Sequence, residues 1–184
     1  VNASVDEPLR RGYRRSVETH DVDVVVVGAG FAGLRALHTF RGLGLSVAVL
    51  EAADGIGGVW YWNRCPGARC DVESYDYSYA FSEELEQDWR WSERYATQPE
   101  ILRYVEHVAD RFDLRRDIHL RQRMTRAAYD EGTGRWTVTT EDDAWSGRYL
   151  VMAVGNLSTT KEPTLPGQEE FSRRILHTAR WPRH

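Results

Sequence analysis

Lysine is nearly missing from this sequence. Of the 24 basic side chains in its 184 residues, only Lys161 is not an arginine. The imbalance reads as the codon bias of a GC-rich genome rather than as chemistry. Basic charge is not in excess either. The 28 acids leave a net charge of −4, which argues against a nucleic-acid binder, because such proteins present a basic face. Cysteine is scarce: Cys65 and Cys70 are the only two and build no disulfide framework. No apolar run approaches the roughly 18–20 residues that a membrane-crossing helix needs. Residues 1–20 are polar, carry Arg10, Arg11, Arg14 and Arg15, and offer no apolar stretch for the core of a signal peptide. The expectation is a cytoplasmic protein without a membrane or nucleic-acid partner and without a metal site. Oligomeric state is left open.

What is present is an ordinary globular mixture, 41% hydrophobic and 28% charged. A chain of this size buries roughly 70% of its unfolded surface when it folds as one domain. Residues 1–20 read as a solvated arm. Val22 to Val27 is an apolar, β-branched run broken only by Asp23, the pattern of a strand buried on both faces of a parallel sheet. Gly28-Ala29-Gly30-Phe31-Ala32-Gly33 follows directly, and Leu34, Leu37, His38 and Phe40 continue at helical spacing to Gly42 and Gly44, which can end a helix. Leu45 to Leu50 is a second buried strand, closed by Glu51. Together these make a βαβ unit of about 30 residues.

Residues 52–80 read as a long functional loop. Thr97-Gln98-Pro99-Glu100 has the form of a capping box with proline in the first turn, and Ile101, Leu102, Val105, Val108, Ala109 and Phe112 predict an amphipathic helix over 99–112. A strand is expected from Ile118 to Met124. Arg126–Asp130, Trp136–Thr140 and Trp145–Tyr149 suit a small antiparallel meander, and Leu150 to Val154 a final buried strand ending at Gly155. The expected fold class is α/β, a Rossmann-like three-layer dinucleotide-binding fold with an antiparallel β-meander. The expected division is an arm (1–20), a dinucleotide-binding domain (21–157) and a linker (158–184).

The glycine spacing carries the first chemical signal. Gly28 allows a tight turn, Gly30 lets the backbone approach a pyrophosphate, and Gly33 lets the helix pack closely on the strand. Phe31 lies inside this turn. The helix N-terminus then offers free N–H groups and a positive dipole end. Glu51 ends the next strand, 18 residues after Gly33. A carboxylate there can accept from ribose hydroxyls, which favours FAD or NAD over NADP at this site. On that reading Glu51→Ala weakens the cofactor more than it alters folding. A glycine turn without ligand is the alternative.

The second signal is Gly57-Gly58-Val59-Trp60-Tyr61-Trp62, running on through Cys65, Pro66, Gly67, Arg69 and Cys70 to Asp71. Three consecutive aromatics in a Gly/Pro loop suit covering something flat; a plain hydrophobic plug is the alternative. Cys65 and Cys70 have the C-x4-C spacing of a redox disulfide. The first cysteine, however, comes seven residues after Gly58, beyond the aromatics, so two ordinary buried thiols are the preferred reading.

These residues carry a resemblance. Gly58-x-Trp60-x4-Cys65-Pro66-Gly67-x3-Asp71, continued by Glu73-Ser74 and Tyr77, resembles a fingerprint of the type I Baeyer–Villiger flavin monooxygenases. Phe171, His177, Trp181 and Pro182 are similar to the family's second signature, in the linker between its cofactor domains. The stretch from Asp21 to Gly155 is similar in particular to the phenylacetone and steroid monooxygenases. The chain departs from the pattern at Cys65, where the family has an aromatic, and at Arg173, where it has glycine.

The resemblance implies an enzyme that uses FAD, NADPH and O2 to convert a small-molecule ketone to an ester or lactone through a flavin peroxide. It implies that Gly28, Gly30 and Gly33 hold the FAD pyrophosphate and Glu51 the ribose. Val59, Trp60, Tyr61 and Trp62 would flank the cofactor, Tyr77 contact it, and Met124 meet the adenine through its backbone. Arg69 and Asp71 would lie near the nicotinamide side, and Asp71 would have the catalytic role of orienting an active-site arginine. That arginine, the NADPH fold and the last strands of the FAD domain belong, by the same resemblance, after His184. The chain is thus expected to be an N-terminal fragment, inactive in isolation, with Val1 and the Trp-Pro-Arg-His end as its edges. Two other readings stay open: an N-hydroxylating or other flavin monooxygenase of the same superfamily, and a non-catalytic FAD-binding remnant.

Overall fold

The computed structural model describes residues 18–157 and 159–182. The arm expected over 1–20 therefore lies almost wholly outside the described residues. Strand β1 (Thr19–Val27) leads into helix α1 (Phe31–Gly42) and strand β2 (Val47–Leu50). Short helices α2 (Val59–Trp62) and α3 (Glu83–Asp88) precede α4 (Gln98–Arg111). Strands β3 (Ile118–His119), β4 (Arg126–Asp130), β5 (Arg135–Thr139) and β6 (Ala144–Met152) follow. They form one six-stranded sheet in the order β3-β2-β1-β6-β5-β4. Pairing is parallel from β3 to β6 and antiparallel from β6 to β4. The α/β class and the meander are as the patterning implies.

The apolar run Val24–Val27 of β1 is buried on both faces. Val24 and Val26 pack with Leu34 and Leu37 of α1 and Val105 and Ala109 of α4, while Val25 packs on the other face with Ala48, Leu50, Val138 and Trp145. All three valines are fully inaccessible. Burying such a side chain contributes about 1.5–3 kcal/mol, so the centre of the sheet is well secured. Register then places the site. Val27 is level with both Leu50 and Met152, so β1, β2 and β6 end together and the glycine turn emerges at their carboxyl ends, where open α/β sheets bind ligands.

Four local expectations are corrected. The strand expected from Ile118 to Met124 stops at His119, because the chain turns back beneath β2: the Arg121 N–H donates to the Ala53 carbonyl and the Gln122 N–H to that of Glu51, both at 2.8 Å. The meander's third strand and the final strand are one element, β6. Its outer half is only partly buried: Leu150 and Val151 pack against the core, but Tyr149 is 52% exposed and Met152 50%, and β5 pairs only with Ala144 to Gly147. The capping box does not form. Thr97 makes no side-chain cap, and the Glu100 carboxylate instead accepts the Ser92 N–H and hydroxyl, both at 2.8 Å. Residues 52–80 contain α2, and α3 follows shortly after; its signal was available in Ser82, whose hydroxyl accepts the Leu85 N–H ahead of an acidic first turn. Among the described residues no helix is long and apolar enough to cross a membrane.

Candidate dinucleotide-binding site

Gly28 leaves β1 with φ of +103°, a conformation open to glycine, and a Cβ there would lie 2.6 Å from the Ala153 carbonyl oxygen. Gly33, in the first turn of α1, is closer still: its Cβ would sit 1.8 Å from the Gly28 oxygen. Helix and strand therefore touch backbone to backbone. The N-cap of α1 is Gly30, which has no side chain to cap the helix, and no acid stands in the first turn. The leading N–H groups are left for a ligand, with the positive end of the helix dipole behind them.

A second glycine pair leans on the first. The Gly57 N–H donates to the Ala29 carbonyl at 2.9 Å. Gly58 has φ of +57°, and its Cβ would come within 3.0 Å of the Gly30 Cα. Glu51 locks the arrangement. Its carboxylate is buried and accepts the Ala29 N–H at 2.7 Å and the Ala53 N–H at 2.8 Å. Two oxygens offer about four acceptor positions, so capacity for a ribose hydroxyl is left. This double clamp is a role that spacing alone did not show. The cradle fits a pyrophosphate: two glycine segments with no side chain between them, facing an uncapped helix N-terminus, next to a fixed carboxylate.

The aromatics stand beside it. Trp60 is buried in α2, and its indole N–H donates to the Tyr77 hydroxyl at 2.9 Å, the two rings meeting edge to face. Tyr77 also lies 5.0 Å from Phe31, centroid to centroid. Burial, with lesser contributions from Cys70 and Asp71, holds the Tyr77 hydroxyl above its ordinary pKa, so it stays protonated as a hydrogen-bonding group. Val59 packs into the same cluster. Tyr61 contacts Trp62 and hydrogen-bonds to Asp54, and Trp62 is 43% exposed. The row Trp60-Tyr61-Trp62 thus divides into a buried anchor and outward rings.

The remaining candidates are more dispersed. Arg69 pairs with Glu93 at 2.9 Å on the surface, and Asp71 is exposed. Met124 packs against the opposite face of the sheet, with Trp145 and Leu50. In the tail, Phe171 is 55% exposed. His177 caps its own short turn, its Nδ1 accepting the Ala179 N–H at 3.1 Å, while Trp181 and Pro182 are half-buried. Arg173 is exposed. The reading of two buried thiols needs correction: Cys70 is buried, but Cys65 is partly accessible, and both are free. Among the described residues no group of three or more histidine, cysteine and acidic side chains is placed to hold a metal.

Sequence reading missed several organisers. The Tyr79 hydroxyl donates to the Phe31 carbonyl at 2.6 Å, and its N–H donates to the Tyr104 hydroxyl at 2.8 Å. Buried Ser74 donates to the Glu93 carbonyl at 2.8 Å and accepts the Ala96 N–H at 3.0 Å. The Gln98 amide donates to the Trp60 carbonyl. The alternation Tyr75, Tyr77, Tyr79, Phe81 was the available signal for the first of these.

Residues 22–183 match the family described as pyridine nucleotide-disulphide oxidoreductase. The chain belongs to that family. A solved structure described as oxidized steroid monooxygenase bound to NADP is 64% identical, with a TM-score of 0.83 over 88% of this chain and 31% of that one. The acetone monooxygenase (methyl acetate-forming) of Gordonia sp. (strain TY-5) is 46% identical over 91% of this chain and 32% of its own length. A phenazine N-monooxygenase of Lysobacter antibioticus is likewise 46% identical, over 90% of this chain and 31% of its own. The expected resemblance to steroid monooxygenases is therefore found. The chain spans about a third of the length of the curated relatives it matches.

Proposed function

We propose that these residues are the FAD-binding part of an NADPH- and O2-dependent monooxygenase that converts ketones to esters or lactones. The observation that carries this is the paired glycine cradle closed by Glu51, in a chain 64% identical to a steroid monooxygenase. When bound, FAD supplies the redox and oxygen-activating chemistry; the protein binds, orients and shields it.

The chain's own residues divide that work. Gly28, Gly30 and Gly33 admit the pyrophosphate to the α1 N-terminus, with Phe31 at the first turn. Glu51 fixes the turn and accepts from the ribose. Gly58 and Val59 bring α2 against the cradle, where Trp60, held by Tyr77, forms an apolar wall and Tyr61 and Trp62 face outward. Met124 offers its backbone to the adenine end. Asp71 has the catalytic assignment, orienting an arginine from elsewhere in the protein, with Arg69 beside it on the nicotinamide side. Phe171, His177, Trp181 and Pro182 form the connection to the segment that handles NADPH. Residues 21–157 are the FAD unit and 158–184 the linker.

Oxygen transfer to nitrogen is a second reading, favoured by the 46% identity to the phenazine N-monooxygenase, since the same cradle serves either acceptor. The test has two arms. The 184-residue chain, refolded with FAD and desalted, retains flavin absorbance; a colourless product overturns the site. The same chain given NADPH and phenylacetone forms no ester; ester formation overturns the assignment of NADPH handling to other segments.

A further inference from the structure

A hollow of about 280 Å³, lined by none of the glycine-cradle residues, lies where the segment after Asp71 meets α3 and α4. Its base is Tyr104 and Leu85, both essentially inaccessible to solvent, and its rim carries Tyr75, which is 81% exposed. Trp89, Trp91 and Tyr79 supply the walls. The rings brace one another. Trp91 lies 5.0 Å from Tyr104, Trp89 lies 5.3 Å from Tyr104, and the two indoles meet edge to face at 5.6 Å. The Trp91 indole N–H is held by the Ser78 hydroxyl at 2.9 Å, and the Tyr79 N–H by the Tyr104 hydroxyl at 2.8 Å. The base and walls are therefore set before any ligand arrives, and Tyr75 stands exposed at the rim.

Its charge is one-sided. Glu86 lines the hollow, and no arginine, lysine or histidine does. Glu86 stands on α3 with Glu83 and Glu84, in a helix that has no basic residue of its own. Arg111 takes up Asp88 at the far end of α3, leaving Glu86 without an ion-pair partner among the described residues. Aromatic faces carry the negative part of the ring quadrupole and attract a cation that is weakly hydrated. A volume just below the roughly 300–1,000 Å³ of drug-sized pockets suits a compact headgroup.

We propose that this aromatic box is a binding site for a small quaternary or trialkyl ammonium cation, held by Trp89, Trp91 and Tyr75 and neutralised by Glu86. The site lies outside the dinucleotide cradle and is independent of the function proposed for it. None of the residues assigned to FAD lines it.

Choline is the probe, and 3,3-dimethyl-1-butanol, its uncharged carbon counterpart, is the control. Binding to the intact chain is read by saturation-transfer NMR on the ligand methyl protons at fixed ionic strength. Choline saturates at millimolar concentration, and the neutral alcohol binds about tenfold more weakly, the scale of a desolvated cation–π contact. Glu86→Gln, an exposed change that leaves far-UV circular dichroism unaltered, weakens choline about fivefold and leaves the alcohol where it was. Trp91→Leu reduces the preference for choline. Equal binding of choline and the alcohol makes the hollow a plain apolar cleft and overturns the proposal. So does the absence of saturable choline binding, or choline affinity unchanged in Glu86→Gln.

Discussion

The Glu51 carboxylate accepts the backbone N–H of Ala29 at 2.7 Å, across 22 residues of sequence. Its other oxygen holds Ala53, so one buried acid ties the end of β2 to the glycine turn and to the loop that brings Gly57 and Gly58 onto it. The sequence alone suggested that Glu51→Ala costs flavin affinity more than folding. The clamp changes that expectation. Hydrogen bonds to a charged group contribute about 1.5–3 kcal/mol, so Glu51→Ala lowers flavin-free stability by about 2–4 kcal/mol and loosens FAD as well. Urea unfolding of the flavin-free protein measures the first part, and an unchanged midpoint rejects the clamp.

Two glycines of α1 answer the same substitution with opposite signs. Gly33→Ala drives a Cβ to within 1.8 Å of a backbone oxygen, whereas at Gly42 nothing lies within 4 Å. Gly33→Ala therefore forces α1 off β1, costs about 2 kcal/mol or more, and abolishes flavin retention. Gly42→Ala is neutral or stabilises by up to about 1 kcal/mol through helix propensity. Paired thermal melts decide this; comparable destabilisation by both changes contradicts the close packing at Gly33.

Tyr77→Phe removes the acceptor of the Trp60 indole N–H, which sits on a side chain only 8% exposed. A buried donor left unpaired costs about 1–3 kcal/mol. The expected result is a lower melting temperature with the aromatic cluster otherwise intact. A melting temperature equal to that of the parent places this hydrogen bond in contact with water instead.

The pH dependence follows from two histidines. His38 lies between Phe81 and Phe112, at 4.3 and 4.8 Å, and its pKa is held below 6.5 by burial and by Arg35 and Arg41. His119 packs on Trp145, with His20 also on that indole. Burial and then His20 lower its pKa, against opposing contributions from Asp117 and Asp143. Both are neutral in the folded protein at a pH where the unfolded chain takes up protons. Stability is therefore full above pH 6.5 and falls as the pH drops from there through the lowered folded-state values. Melting temperature against pH checks this. His38→Gln and His119→Gln each flatten the slope below 6.5, and a slope unchanged in both variants removes these groups as its cause.

Much of this was legible locally. The run Val22–Val27, the spacing Gly28, Gly30, Gly33 and the apolar repeat of 101–112 depend on a few neighbouring residues, and each produced the element it implies. Boundaries set by distant partners were not legible. Ile118–Met124 reads as a strand on propensity, but Glu51 and Ala53 capture its continuation. Glu100 reads as a capping residue until Ser92, eight positions away, takes its carboxylate. Asp71, Arg69 and Met124 entered through family likeness, not through any property that composition or periodicity displays.

The sequence by itself determined the βαβ core, the glycine turn at the start of α1, and the family to which the chain is similar, because short-range patterning of apolar residues and glycines encodes these. Only the tertiary structure decided that Glu51 is a clamp, that β6 is one strand with a half-open edge, and that Tyr77 and Tyr79 pack on Phe31, Tyr79 also meeting Tyr104, so that they form the wall beside the cradle and one side of the acidic aromatic box. Those outcomes rest on hydrogen bonds and ring contacts between residues tens of positions apart, and chain packing, rather than any local period, brings such residues together.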